Sequence, residues 1–242
     1  MKCQIANLSS LALLLTALGA AHATPLSALF GGGTMTAGDK LFDQWGLVSA
    51  TTSDGHVVNT GNIDVTTLGP SLPNPLDPGP GLRFNVLNNE LRVRGDGIYA
   101  FIDLQFRFRV SALDPGLRIK DVSLSIDGAL SATADGANDL GTYILESIGS
   151  AAGQNDLGIA NVENSMLDDV LTSKLSDSTT FAPRSAIWVT KNILVWSQDT
   201  TDSAAVNAFE QRFSQAQVPE PGTLALLGIA GLAACLIRRS SA

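Results

Sequence analysis

Apolar and polar residues alternate with a period of two along most of the central part of this chain. The pattern is clearest over residues 100–110, where one parity is apolar and the other polar or charged: Ala100, Ile102, Leu104, Phe106, Phe108 and Val110 against Asp103, Gln105, Arg107 and Arg109. Successive side chains of a strand point to opposite faces of the sheet. The alternation therefore predicts a strand with one buried face and one solvated face.

The alternation changes parity once in the next predicted strand. Residues 114–116 read Asp-Pro-Gly, which is a turn signal. After this turn the apolar residues keep one parity up to Ile119 and take the opposite parity from Val122 onward. One extra residue in the strand would reconcile the two halves, so we predict a β-bulge near Lys120-Asp121.

Further strands are predicted wherever short apolar stretches are separated by turn residues. They cover residues 42–48, 63–68, 82–86, 90–94, 130–134, 142–148, 157–162 and 185–196, with Asp-Gly turn signals at 54–55, 96–97, 127–128 and 135–136. The proline-rich residues 69–81 are interpreted as a stiff extended loop between strands. Residues 204–217 fit both a helical stripe and a strand, and we favour the strand.

Many short antiparallel strands with one solvated face predict an all-β fold, specifically an antiparallel β-sandwich. The pattern leaves open whether the topology is jelly-roll-like or immunoglobulin-like. Strand patterning continues on both sides of the proline-rich loop, so we expect residues 24–217 to form one domain.

The first 23 residues have the organisation of a secretory signal peptide. Lys2 supplies the positive end, residues 8–18 the apolar core, and Ala21-His22-Ala23 the small-x-small cleavage site. We predict cleavage between Ala23 and Thr24. The two cysteines lie in this peptide and in the C-terminal segment, so the remaining domain contains no disulfide.

Residues 218–242 combine an extended motif, an apolar run and a basic end. Pro219, Glu220 and Pro221 are followed by an uncharged apolar run at 224–237 and then by Arg238 and Arg239. An apolar segment in lipid satisfies its backbone hydrogen bonds as a helix, which predicts one C-terminal transmembrane helix. Its span of about 21 Å is short for a hydrocarbon core of about 30 Å. The basic end stays cytoplasmic, which places the domain outside.

This segment resembles the C-terminal sorting signal of PEP-CTERM proteins, because the three parts occur in this order over residues 219–239. The resemblance implies recognition by an exosortase, a membrane cysteine protease-like enzyme of Gram-negative bacteria that make exopolysaccharide. It further implies cleavage near Pro219-Glu220-Pro221 after transient anchoring in the inner membrane. The expected destination is the cell surface or the extracellular space.

Charge narrows the range of partners. Between Thr24 and Val218 the chain has 12 basic and 22 acidic residues, a formal net charge of −10. Such a domain repels phosphate backbones, so we expect no nucleic-acid partner. Divalent cations and neutral sugars, including exopolysaccharide, remain compatible with it.

Catalytic motifs are scarce in the predicted domain. His56 is its only histidine and follows a turn signal, which is typical of a solvated residue. There is no Gly-x-Ser-x-Gly motif, and no cysteine nucleophile or zinc ligand set is available. Nothing in the spacing of the four glutamates, Glu90, Glu146, Glu163 and Glu210, pairs them for glycoside hydrolysis.

Two groups of residues are candidate binding sites for a ligand. Asp135, Asn138 and Asp139 place oxygen ligands in one tight loop, which suits calcium, although a polar turn is the more ordinary interpretation. Trp188 and Trp196 share a parity and could stack on sugar rings, although tryptophans of a sandwich usually belong to its core.

We therefore expect a non-enzymatic protein of the cell surface or extracellular matrix, sorted by an exosortase and associated with exopolysaccharide or biofilm. It needs no cofactor in this interpretation. A carbohydrate-binding module assisted by calcium is the alternative, and an extracytoplasmic hydrolase is a less favoured third hypothesis.

Overall fold

The computed structural model describes residues 23–133 and 138–218, and nearly all regular structure in them is β-strand. One short helix, α1 (Leu26–Phe30), and a single 3-10 turn at Thr60–Asn62 accompany the strands. The strands are β1 (Thr24–Pro25), β2 (Met35–Ala37), β3 (Lys40–Thr52), β4 (Ile63–Leu68), β5 (Gly81–Val86), β6 (Arg92–Arg94), β7 (Ala100–Ala112), β8 (Leu117–Ser131), β9 (Asp139–Gly149), β10 (Gly158–Leu167), β11 (Val170–Lys174), β12 (Ser176–Arg184), β13 (Ala186–Ser197) and β14 (Ser203–Gln217).

The strands form two antiparallel sheets. The first sheet has the order β1-β4-β5-β14-β8-β12, with β6 also paired to β14. The second sheet has the order β11-β10-β9-β13-β7-β3-β2. The prediction of an all-β antiparallel sandwich-like fold is thus confirmed.

Aromatic side chains from both sheets fill the space between them. Phe84 and Phe209 stack at 4.4 Å between ring centroids within the first sheet, while Trp45 stacks on Phe108 at the same distance within the second. Phe42 and Phe213 join the two sheets at 5.5 Å. Pairs of this kind add about 0.5–1.5 kcal/mol each beyond their burial. Trp45 is therefore a core residue, with 6% of its surface exposed.

Two finer strand predictions are confirmed. In β8, Asp121 pairs with Ser214 and Ile119 with Gln215, so Lys120 is the extra residue of a bulge at the predicted position. Residues 204–217 belong to β14, which lies between β5 and β8. A segment paired on both sides satisfies its backbone hydrogen bonds as a strand, which settles the ambiguity between helix and strand.

The turn predicted at 127–128 is wrong, because Asp127 and Gly128 lie inside β8. They pair with Ala208 and Val206 of β14, where Asn207 is the unpaired residue of a bulge. The strand predicted to begin at residue 130 is consequently the end of β8. An Asp-Gly pair favours a turn only locally, and here a long partner strand supplies the hydrogen bonds that a turn would otherwise supply.

The proline-rich segment is a loop between β4 and β5, as predicted, and it lies along β14. Phe213 donates its backbone N–H to Pro80 O at 3.1 Å, and Gln215 donates to Leu76 O at 2.9 Å. The carboxylate of Asp77 accepts a hydrogen bond from Lys120 Nζ at 2.8 Å. These contacts fix the loop over one end of the first sheet.

Candidate functional site

The structure separates the two tryptophans that were predicted to contact sugar. Both lie on the outer side of β13, but eight residues of extended strand place them about 26 Å apart. Trp196 is only 7% exposed, and its Nε1 donates to Asp139 Oδ1 at 2.7 Å. Trp188 is half-buried. Of the two, Trp188 is therefore the one that offers ring surface to a ligand.

The predicted calcium loop is described only in part. Asp135 lies in residues 134–137, outside the described residues. Asn138 is 2% exposed and donates Nδ2 to Asp169 Oδ1 at 2.5 Å, while Asp139 accepts the hydrogen bond from Trp196. Within residues 23–133 and 138–218, no group of three or more His, Cys, Asp or Glu side chains is arranged to hold a metal ion.

His56 lies in a solvated turn, as its sequence context predicts. Its side chain is 45% exposed, and its Nδ1 is 2.6 Å from Asp54 Oδ1. Hydrogen bonds from the backbone N–H and then the ring of His56 lower the pKa of Asp54 to about 2. The two residues line a shallow cavity of about 190 Å³ together with Arg92 and Arg94.

A larger polar cavity of about 480 Å³ lies on the outer face of the first sheet, where β14, β8 and β12 run side by side. We call this surface the serine face, because four of its eight lining residues are serines, beside the charged residues Asp177, Glu210 and Arg212. Its outward side chains are Ser123, Ser125, Ser176, Ser178, Glu210 and Arg212.

The pairing register assembles the serine face. Ser125 lies opposite Ser176 on one side and Glu210 on the other. One pleat further along, Ser123 lies between Ser178 and Arg212 in the same way. Directly opposite residues of an antiparallel pair point to the same side of the sheet, so these residues form two parallel rows.

The charged groups beside the serines are engaged with other groups. Glu210 accepts a hydrogen bond from Arg83 Nη1 at 2.5 Å. Arg212 donates to Gly69 O at 2.9 Å and to Gly79 O at 3.3 Å. The surface therefore presents mainly hydroxyl groups, which donate and accept hydrogen bonds equally well. A neutral, hydroxyl-rich ligand fits this chemistry, whereas the described lining holds no histidine or cysteine that could start a reaction.

Sequence reasoning missed the serine face, although a signal was present. Residues 122–126 read Val-Ser-Leu-Ser-Ile, which alternates buried apolar residues with small hydroxyls. Residues 176–178 read Ser-Asp-Ser but contain no apolar residue, so β12 itself was not predicted. Only the pairing of β12 with β8 shows that the two serine pairs face one cavity.

A second feature that the sequence did not reveal is a buried polar cluster between the sheets. Lys191 of β13 and Glu146 of β9 form a salt bridge in which neither side chain is exposed to solvent. Gln211 of β14, also fully buried, donates its Nε2 to Glu146 Oε1 at 2.5 Å. Glu146 is thus paired with a lysine, whereas glycoside hydrolysis requires a second carboxyl group across a cleft.

The sorting segment lies outside the described residues, apart from Val218. The predicted transmembrane helix, Pro219-Glu220-Pro221, Arg238 and Arg239 all fall in residues 219–242, and Ala21 of the predicted signal cleavage site lies before residue 23. Across the described ranges, the structure contains no helix with the length and hydrophobicity needed to cross a membrane.

Comparison with protein families identifies one match. Residues 217–240 match the model of the PEP-CTERM protein-sorting motif, so the suspected resemblance is confirmed for this segment. No curated protein matches the sequence.

Comparison with solved structures gives matches of low identity and low TM-score. The enzymatically active domain of tailspike protein 4 of bacteriophage CBA120 is 15% identical, with a TM-score of 0.26 over 72% of this chain and 19% of that one. TmCBM61 in complex with β-1,4-galactotriose is 11% identical, with a TM-score of 0.24 over 69% of this chain and 87% of that one. The chain thus spans about a fifth of the tailspike chain.

Proposed function

We propose that this chain, which carries a PEP-CTERM protein-sorting motif at residues 217–240, is a non-enzymatic protein of the cell surface or extracellular matrix. An exosortase sorts it and cleaves it near Pro219-Glu220-Pro221, after the signal peptide has been removed before Thr24. The released β-sandwich then associates with exopolysaccharide.

The sorting motif is the observation that carries this proposal, because it implies export and membrane-anchored sorting by an exosortase. The described domain is compatible with that route. It begins with Thr24 in β1, paired with Val65, so a chain cut before Thr24 keeps its first strand. At its other end β14 stops at Gln217, and only Val218 separates the described domain from the motif.

The mass of the mature protein from its native host tests the sorting proposal. We expect a chain that begins at Thr24 and ends close to Pro219-Glu220-Pro221. Replacing Glu220 by Ala should leave the uncut C-terminus in the membrane fraction, while the N-terminal cleavage is unchanged. Recovery of the full 242-residue chain from the cytosol would overturn the proposal.

The chemistry of the described residues supports a non-enzymatic role. His56 is exposed in a turn, and the cavity of the serine face is lined mainly by hydroxyls rather than by a nucleophile and its base. Glu146, the most buried glutamate of the domain, is held by Lys191 and Gln211.

A second candidate function is carbohydrate binding, which the serine face favours. Sugar hydroxyls and serine hydroxyls exchange hydrogen bonds without any net charge. This matters in a domain whose net charge of −10 would repel acidic polymers. Trp188, on the other sheet, is the alternative contact because it is less buried than Trp196.

A glycan array with three variants distinguishes these contacts. Ser125→Leu fills the cavity of the serine face and should abolish binding of a neutral glycan if that face is the site. Trp188→Ala should abolish it if the second sheet is the site, and Ser147→Leu, an outward change on β9, is the matched control. A chelator arm tests whether calcium contributes. Silence of the unmodified protein on all neutral glycans would contradict this function.

A further inference from the structure

The polar cluster between the sheets brings an amine and a carboxyl group together away from the protein surface. Lys191 Nζ contacts Glu146 Oε2, and both side chains have no solvent exposure. The rings of Phe84 and Phe209 cover the amine, with Nζ 5.9 Å and 5.5 Å from their centroids. An amine and a carboxyl group held in contact react with each other far more readily than the same groups free in water.

Burial also favours the reactive protonation states of both groups. It raises the pKa of Glu146 and lowers the pKa of Lys191, in each case against their mutual attraction. Burial thus shifts both groups toward their neutral forms, an uncharged carboxylic acid and an uncharged amine. These are the two forms that condense, because a protonated amine has no lone pair and a carboxylate is a poor acceptor.

Gln211, the third member of the cluster, is hydrogen-bonded to the carboxyl oxygen of Glu146 that Lys191 does not contact. Gln211 Nε2 donates to Glu146 Oε1 at 2.5 Å, while Lys191 faces Oε2. When a nucleophile adds to the carboxyl carbon, negative charge develops on the oxygen that remains. A fixed N–H donor at that oxygen stabilises the charge, as the donors of an oxyanion hole do.

We propose that Lys191 and Glu146 form an intramolecular amide bond that cross-links β13 to β9. The neutral Nζ adds to Cδ of Glu146, and the charge that develops on Oε1 is held by Gln211. A proton passes from Nζ to Oε2, the Cδ–Oε2 bond breaks, and Oε2 leaves as one water molecule carrying both protons. The step needs no oxidant, reductant or further reactant.

The product would suit the site better than the ions do. An amide is neutral, so the desolvation penalty of a buried lysine and a buried carboxylate disappears. Its carbonyl oxygen is Oε1 and keeps the hydrogen bond from Gln211. The bond would also tie together two neighbouring strands of the second sheet, where Lys191 and Glu146 lie directly opposite each other.

Tryptic peptide mapping of the denatured full chain tests the proposal. Glu146 falls in the peptide 121–174, and Lys191 lies between the cleavage sites at Arg184 and Arg212. Because an amide on Nζ blocks cleavage after Lys191, we expect peptide 121–174 joined to peptide 185–212, with their combined mass reduced by one water. Separate, unmodified peptides with complete cleavage after Lys191 would overturn the proposal.

The same map distinguishes an alternative acceptor. Attack on Gln211 would lose ammonia within peptide 185–212 and leave 121–174 free, which would also refute the bond to Glu146. Lys40 is a matched internal control: it is equally buried and lies 2.8 Å from Asp39, but that carboxyl group is 21% exposed. We expect no link there.

Two variants extend the test. Lys191→Met should abolish the joined peptide, while Gln211→Leu should keep both reacting groups and lower the linked fraction at a fixed time after synthesis. Thermal denaturation of each variant, read by circular dichroism, identifies any variant that fails to fold. An unchanged linked fraction in folded Gln211→Leu would contradict the role assigned to its Nε2.

Discussion

Replacing Trp196 by Ala should destabilise the domain by about 4 kcal/mol. A tryptophan buries about 200 Å² of surface, which at about 25 cal/mol per Å² amounts to about 5 kcal/mol, and alanine retains part of it. Trp196 is 7% exposed, and the substitution also removes the hydrogen bond from Nε1 to Asp139 at 2.7 Å. That bond contributes about 1 kcal/mol. The loss should resemble that of other buried aromatic residues, about 3–5 kcal/mol.

Urea denaturation followed by far-ultraviolet circular dichroism measures this loss from the transition midpoint. Trp188→Ala is the matched control, since Trp188 lies on the same strand with the same parity but is half-buried, and we expect a clearly smaller loss. Trp196→Phe keeps most of the ring burial and should lose about 1–2 kcal/mol. A loss below about 1 kcal/mol for Trp196→Ala would refute a structural role for Trp196. Trp196 would then again be a candidate for contact with a ligand.

Three further predictions follow from single contacts. A Cβ on Gly141 would lie 2.4 Å from the ring of Trp196, so Gly141→Ala should lower the unfolding free energy by about 1–3 kcal/mol, and an unchanged urea midpoint would contradict the packing. A hydrogen bond from Lys120 lowers the pKa of Asp77, so the stability that Asp77 contributes is fully present above its unfolded pKa of about 4 and is lost as the pH falls through the lower folded pKa. Asp77→Asn should therefore reduce stability by about 1 kcal/mol or less at pH 7, a difference that shrinks in urea titrations as the pH falls below about 4. Arg109 binds its aspartate partner through two nitrogens, at 2.9 Å and 2.7 Å, so Arg109→Lys should lose about 1 kcal/mol in the same assay, and equal stability would show that the fork contributes nothing.

Strand positions could be predicted where the alternation is long and one face is buried. The alternating residues of β7 and the parity change at Lys120 both came from the sequence, because each buried strand must present its apolar side chains to one core. The edge strand β12 could not be predicted in this way. Four of its nine residues are serine or threonine, and β8 supplies its hydrogen-bonding partner.

The candidate sites depend on the tertiary structure even more than the strand positions do. Sequence parity placed Trp188 and Trp196 on one face, but the burial of Trp196 and its hydrogen bond to Asp139 are tertiary properties. The serine face depends on which strands are neighbours, and residues 123–125 and 176–178 are distant in the chain. Spacing alone could not have joined them.

The sequence by itself determined the sorting motif and the period-two pattern, because each depends on residues that are close together in the chain. Tertiary structure alone decided that Glu146, Lys191 and Gln211 meet. Each occupies an inward position that alternation assigns to an apolar residue, and only the packing of the two sheets brings their polar groups within hydrogen-bonding distance. A buried polar group needs a partner, and the identity of that partner is set by strand order rather than by local sequence.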